Sequence, residues 1–583
     1  MNLPSKKLLS LLFLFIFISL MWFGFSQSFG SPQTSRTALQ DLLDSDSQRK
    51  TGAQAVVVSE PGLAIIATPV AAYHDNGSLV KKPLLVEGQE STTNFLSLYP
   101  CEPISISGDR ASASTQVAGD TWEWTDGAIV IDDGRLDLGI ALAPLASYVN
   151  IPIIIANSSD TSYINSLKVL DVQFTIASGS MKGVGRVHSF DNVMDCHRLV
   201  LDFIAVRLGE VDYITLANTM DTNATFGLPA LSMMAPYLSV CRGGFVVSSP
   251  YMLLPQSTDF EGTDGSDINP YTEVHKDRLN RCIKYMKLIG LYDHYTEESP
   301  YLAVLGGPHS LPFYYTEGGG YAITVTDDYY ADLDEDMFFV ELACGRPIAL
   351  TVQGTSAVIS RSIFYNQYMQ NWVADSTVTN AMGAEWKSTA YVAKGDDWNG
   401  AIWAMSPEYW DCLEYFHDQG YSVVTTKRHQ TGGSVAQDRL KLYTSSSFIY
   451  VMAHGYPEGY QNIDMIHSSD VKEWGIMGPS AMILTSCSAA RMDIPNIEDA
   501  IGLTFMDVGT IAYVGGTRTE SAGASPYISI ESILSLVGNN QSLGIAHRDS
   551  KNIYNENNAG DYYHSGIKQM YGDPALNPYT DGK

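Results

Sequence analysis

The chain has 583 residues, 45% apolar and 17% charged, with 49 Gly and 25 Pro. That composition excludes collagen-like, coiled-coil and wholly disordered proteins, and the length predicts roughly three or four folded units at about 150 residues each. With 35 Lys+Arg against 64 Asp+Glu the net charge is −29, the wrong sign for neutralising phosphates, so nucleic acid is disfavoured as a partner.

Lys6 and Lys7 precede an apolar stretch from Leu8 to Phe25, followed by Ser28-Phe29-Gly30. That order predicts a signal peptide, or a retained N-terminal membrane anchor, over residues 1–30. Either way the remainder is expected to be secreted or on the cell surface. Residues 31–55 are polar and read as a linker, with folded structure expected from Val56.

Ile/Val-rich runs then alternate with helix-length stretches: GAIVIDDG at 127–134, LGIALAPLASYVN, and IPIIIAN at 151–157. Unbroken apolar runs of this kind predict parallel strands covered on both faces, hence α/β architecture. The pattern returns as VDYITLAN at 211–218, LPALSMMAPYLSV and GGFVVSS at 243–249, with Ala143–Val149 aligning on Ala235–Cys241 at an offset of 92 residues. The repeat predicts a duplicated α/β module within residues 56–250 that folds separately. Its strand, A-PLA helix and Ile-rich strand resemble type 2 cell-wall-binding repeats, which implies a cell-wall or surface polymer as partner.

Residues 251–385 hold a helix-like stretch from Tyr271, the strand YLAVLGG at 301–307, an acidic turn from Thr326 to Asp336 and FFVELACGRPIA at 338–349. Residues 386–583 alternate more regularly: STAYVAKG, a helix around 406–419, SVVTTK, a helix around 435–443, SFIYVMAHG, AMILTSCS, a helix near 497–507 and TIAYVGG. This predicts an open parallel sheet with short connections.

Ligands of such sheets bind beyond the carboxyl ends of the strands. His454 ends one predicted strand and Cys487 the next, 33 residues later. A thiol beside an imidazole suffices for acyl transfer, the thiolate attacking and the imidazole moving the proton. There is no phosphate loop of the G-x-x-x-x-G-K-[ST] type, no H-E-x-x-H and no G-x-S-x-G, and no cofactor is expected for the chemistry.

At these residues the chain resembles the gingipain family of caspase-like cysteine peptidases. YLAVLGGPHSLP, TDDYYADLDED, ACGRPIA, Ala453-His454-Gly455, Thr485-Ser486-Cys487, GTIAYVGGT and MYGDPALNPY follow the family's motifs in order across about residues 270–580. The resemblance implies two subdomains, a protein or peptide substrate, Cys487 as nucleophile, His454 as general base and acid, and backbone N–H groups of Gly455 and Cys487 as oxyanion donors. It also implies an acid that orients the histidine. The corresponding position holds Lys394, which leaves Asp396 and Asp397 as candidates.

Asp332, Asp334 and Asp336 alternate like the start of a calcium loop, with Asp328 and Asp327 as further oxygen donors. Family members often bind calcium, so the resemblance implies a candidate structural Ca²⁺ site here, the alternative being a solvated acidic turn. Asp464, Asp493 and Glu520 stay open as acids at the bottom of the S1 pocket. Two other functions fit the same sequence: a non-catalytic surface or adhesion protein on the peptidase scaffold, and a transpeptidase in which an amine resolves the acyl-enzyme. Cys487 is expected to be a free thiol, and the other six cysteines can form at most three pairs.

Overall fold

The long Ile/Val runs form parallel strands because helices cover both faces of each sheet, which removes the usual alternation of polar and apolar residues. The computed structural model describes residues 32–50, 52–261, 263–292, 300–316, 323–336, 339–374, 385–394, 407–426, 435–462, 464–521, 523–559 and 561–579. The predicted signal or anchor, residues 1–30, lies outside them. No helix among the described residues is long and apolar enough to cross a membrane.

The described part of the expected linker, residues 32–50 and 52–55, is folded. Helix α1 (Pro32–Leu43) buries Ala38 and Leu42, and strand β1 (Ser47–Arg49) pairs antiparallel with Trp122–Thr125. Asp41 ties the helix down through a bidentate pair with Arg186 and a 2.7 Å contact to His188 Nε2. The helix looked featureless because Ala38, Leu39, Leu42 and Leu43 are its only aliphatic side chains, yet their spacing puts them on one helical face.

Strands β2 (Ala55–Val58), β3 (Leu84–Val86) and β4 (Pro103–Ile106) form a small parallel sheet with β2 in the middle. A second parallel sheet contains β5 (Gly127–Asp132), β6 (Ile153–Ala156), β7 (Phe174–Ser178) and β8 (Arg186–Phe190) in the order β8-β7-β5-β6. The helix joining β5 to β6 is α2 (Leu136–Val149), buried along almost its whole length.

The predicted module boundary at residue 250 does not exist. Strands β9 (Tyr213–Ala217) and β10 (Gly244–Ser248) share a parallel sheet with β11 (Tyr301–Val304) and β12 (Ala343–Gly345), in the order β10-β9-β11-β12. The two halves of the 92-residue repeat are thus two βαβ units in different sheets rather than one duplicated module. They also pack on one another: Tyr148 Oη, on α2, donates to the Gly244 carbonyl at 2.5 Å. Among the described residues a large apolar cluster takes in side chains from Ala38 to Tyr571 across the position-250 boundary, and a second includes Val57, Tyr450, Ile483 and Leu576.

The fourth sheet contains β13 (Thr389–Lys394), β14 (Ser422–Thr426), β15 (Phe448–Met452), β16 (Ala481–Thr485), β17 (Ala512–Gly516) and β18 (Lys568–Gly572), in the order β14-β13-β15-β16-β17-β18. All neighbours are parallel except β18, which runs against β17. Arg346, just after β12, donates its N–H to Met570 O at 3.0 Å and accepts from Gly572 N at 2.8 Å. The third and fourth sheets therefore meet edge to edge. The Arg346 guanidinium is fully buried and closes on Asp327, which Gln569 also contacts at 2.8 Å.

Candidate active site

Strands β15 and β16 pair from Phe448↔Ala481 to Met452↔Thr485, and the ladder extends one step further through Ala453 N to Thr485 O at 3.0 Å. His454 lies two residues beyond Met452 and Cys487 two residues beyond Thr485. Equal spacing past paired residues brings the two side chains to one level on adjacent strands, at the carboxyl edge where open α/β sheets place their chemistry. Both are half-buried.

Gly455 is required by a close approach. A Cβ at that position would overlap Ser486 Oγ and lie 2.7 Å from the Cys487 carbonyl, so the histidine segment sits flush on the cysteine segment only because the side chain is absent. The His454 carbonyl accepts from Gln461 N at 2.8 Å. This anchors an antiparallel ribbon of Gly455–Tyr456, Gly459–Asn462 and Asp464–His467 beside the site.

Cys487 is followed by Ser488 in the left-handed region, at φ 54°. That conformation costs a non-glycine residue about 1 kcal/mol or more. It is held by Ser488 N to Arg518 O at 2.9 Å and Arg491 N to Ser488 O at 3.0 Å. The sharp turn ends the strand and points the thiol toward the next segment, where Glu520 N–H donates to Sγ at 3.3 Å. Burial pushes the Cys487 thiol up, partly offset by that Glu520 hydrogen bond.

Asp396 and Asp397 lie outside the described residues. Two of the three S1 candidates are already neutralised. Asp493 is buried against Arg518 at 2.6 Å, Arg491 at 3.1 Å and Tyr315 Oη at 2.6 Å. Burial works to raise its carboxyl, and Arg518 overrides this and holds it below the ordinary range. Glu520 is buried in a 2.7 Å pair with Lys568. Of Asp464 only the backbone, in the ribbon, is described.

The acidic turn is corrected in its membership. Asp328 is buried against Lys551, so it is a counterion and not a free ligand, and Asp327 serves Arg346. Asp336 is exposed and accepts from Phe339 N at 3.1 Å. The carboxylates that converge are Asp332, Asp334 and Glu341, with one oxygen from each lying within 4.8 Å of the others. Glu341 was overlooked because it follows Asp334 by seven residues, outside any alternating pattern. It folds back by accepting from Leu333 N at 2.5 Å. Burial raises the Glu341 carboxyl, and Asp334 and Asp332 raise it further, while the buried Lys276 ammonium lies within reach of Asp332 and Glu341 and supplies part of the counter-charge; the three side chains together offer hard oxygen donors of the kind Ca²⁺ takes.

All seven cysteines are free thiols; none of the disulfide pairs left open by the count forms.

The sequence profile of peptidase family C25 matches residues 271–579, more than half of the chain. The chain belongs to peptidase family C25, the gingipain family. The residues matched to family C25 include the third and fourth sheets' strands from β11 onward. Among solved structures, the chain is similar to one described as a protease, with 17% identity over 64% of this chain and 81% of that one at a TM-score of 0.45. It is similar to the Arg-specific cysteine proteinase gingipain R, with 14% identity over 52% of this chain and 68% of that one at a TM-score of 0.40. It is also similar to the complex of RgpB pro- and mature domains from Porphyromonas gingivalis, with 13% identity over 63% and 79% of the two chains at a TM-score of 0.43. No curated protein matches the chain.

Proposed function

We propose that this family C25 member is an exported cysteine endopeptidase in which Cys487 is the nucleophile and His454 the general base and acid. The observation that carries this reading is the pairing of β15 with β16, which sets the two residues at equal distance past Met452 and Thr485. In the reaction the Cys487 proton passes to His454 as sulfur attacks the peptide carbonyl carbon. The oxygen that becomes negative is met by the backbone N–H groups of Gly455 and Cys487. Collapse expels the amine, which takes its proton from His454 and leaves a thioester. Water, deprotonated by His454, attacks the thioester and regenerates the thiol. Export is supported by the basic-then-apolar order of residues 6–25.

Neutralisation of Asp493 and Glu520 by their own partners means that neither supplies a free carboxylate for a basic P1 side chain. A panel of peptidyl acyloxymethyl ketones varied at P1 measures the preference directly. The expected result is a mass increase on the Cys487 peptide for at least one probe, abolished by His454→Ala. Absence of label from every probe on folded protein would remove the peptidase reading.

Calcium is proposed as a structural ion at Asp332, Asp334 and Glu341. Adding Ca²⁺ to the chelator-treated protein is expected to raise Tm by about 2 °C, in line with about 2–3 kcal/mol from a ligand well above its Kd. Glu341→Gln should abolish the rise, whereas Asp336→Asn should keep it. An unchanged Tm on Ca²⁺ addition would count against the site.

A further inference from the structure

Two buried, oppositely charged side chains stand behind the thiol. Lys568, the first residue of β18, and Glu520, on the segment after β17, form a 2.7 Å ion pair with side chains only 1% and 3% exposed. Glu520 also accepts from Ser525 Oγ at 2.6 Å and from the backbone N–H of Ser486, the residue before Cys487. Lys568 Nζ donates to the Leu484 carbonyl, on the nucleophile strand, at 3.2 Å. Gly516 leaves the space, since a Cβ there would lie 2.6 Å from Glu520 Oε1. Held from these directions, Glu520 presents its N–H to Cys487 Sγ at 3.3 Å and its carbonyl at 3.9 Å. A buried ion pair is often no more stabilising than apolar residues of the same volume, so stability alone does not explain this one.

We propose that Lys568 and Glu520 are positioning residues for the nucleophile: their ion pair clamps the segment after β17 to the end of β16 and keeps the Glu520 N–H aimed at the sulfur. A thiol can donate to the Glu520 carbonyl as well as accept from its N–H, but a thiolate only accepts, so the N–H contact strengthens as the proton leaves. The inference rests on Cys487 being the nucleophile. The ionisable groups that act on the sulfur are Glu520, Lys568 from β18 and Tyr563 from the helix Tyr562–Gly566, and His454 lies at the end of the neighbouring strand β15. Of the pair, Lys568 favours the thiolate and Glu520 opposes it.

The charges therefore predict opposite effects, which a merely structural role does not. The experiment is the pH dependence of Cys487 alkylation by iodoacetamide on the full chain, read by peptide mass spectrometry, with kcat and KM measured in parallel. Glu520→Gln is expected to move the alkylation profile to lower pH and Lys568→Met to higher pH. Each shift is expected to be about one unit, or about tenfold in rate at a fixed pH below the inflection. The double variant Glu520→Gln/Lys568→Met buries no unpaired charge and serves where a single variant does not fold. It is expected to lose about tenfold or more in kcat with KM within about twofold, because the N–H is no longer held in register. Same-direction shifts in the two single variants, or wild-type kcat in the double variant, would overturn the proposal. The alkylation readout does not depend on peptide cleavage. A fully active Cys487→Ala would remove the peptidase reading and leave the alkylation result standing, while an inactive Cys487→Ala with unshifted alkylation profiles would remove this inference alone.

Discussion

Cys487→Ala is expected to lower kcat for peptide cleavage by on the order of 10⁴-fold or more, and His454→Ala by a comparable factor. The two groups act in one step, so the double variant should lose little beyond either single one. Folding should be nearly untouched. The Cys487 side chain is half-buried and its sulfur contacts the Glu520 backbone, so its removal falls in the range of about 1 kcal/mol or less typical of such sites. Peptide turnover measured beside Tm separates the two effects. Full turnover in Cys487→Ala would assign the chemistry elsewhere, and a collapse in Tm would make the activity loss uninformative.

The placement of His454 and Cys487 at the ends of neighbouring strands was readable from sequence for a physical reason. An apolar run ends where the chain leaves the sheet, so FIYVM and AMILT mark their own carboxyl ends, and a His and a Cys at those ends must lie on one edge. The neighbouring helices were legible too: those expected around 406–419 and 435–443 are observed at Pro407–Asp418 and Val435–Thr444. Sheet membership was not legible. YITLA and FVVS say only that both faces are covered, and β9 pairs across 88 residues with β11 as well as with β10. Nor were the ion pairs that decide which acids are free. Asp328 meets Lys551 across 223 residues of chain, and Glu520 meets Lys568 across a helical segment, so a count of nearby carboxylates overstated the ligands of the acidic turn. Lys568 did leave one trace, as a lysine opening the apolar strand KQMYG. The cost of burying a lone ammonium requires a partner for it, although sequence does not say which.

Truncation at Pro255 gives the sharpest contrast between the sequence and the structure. A separately folding module over 127–249 would leave an active peptidase fragment behind. The structure predicts an insoluble, inactive one. Removing residues 1–254 takes β9 and β10 away from β11, leaving it an open, apolar edge flanked only by β12. It also strips Ser356 and Ser360 of their bonds to Val86 N at 3.0 Å and Leu84 O at 3.3 Å. The heaviest loss falls on Asp573, the buried acid of the terminal MYGDP motif. It accepts from Tyr213 Oη at 2.9 Å and Arg242 Nε at 2.8 Å, both on the removed side. An acid left buried without its partner costs about 3–5 kcal/mol, a large part of a typical total of about 5–15 kcal/mol. The same contact can be broken in the full chain, where Asp573→Ala strands the Arg242 guanidinium instead and should lower stability by a similar amount. Chemical denaturation of that variant and sedimentation of the fragment measure the two consequences. Soluble, active fragment, or wild-type stability in Asp573→Ala, would show that the N-terminal strands are dispensable layers and not a needed part of the sheet that abuts the one carrying His454 and Cys487.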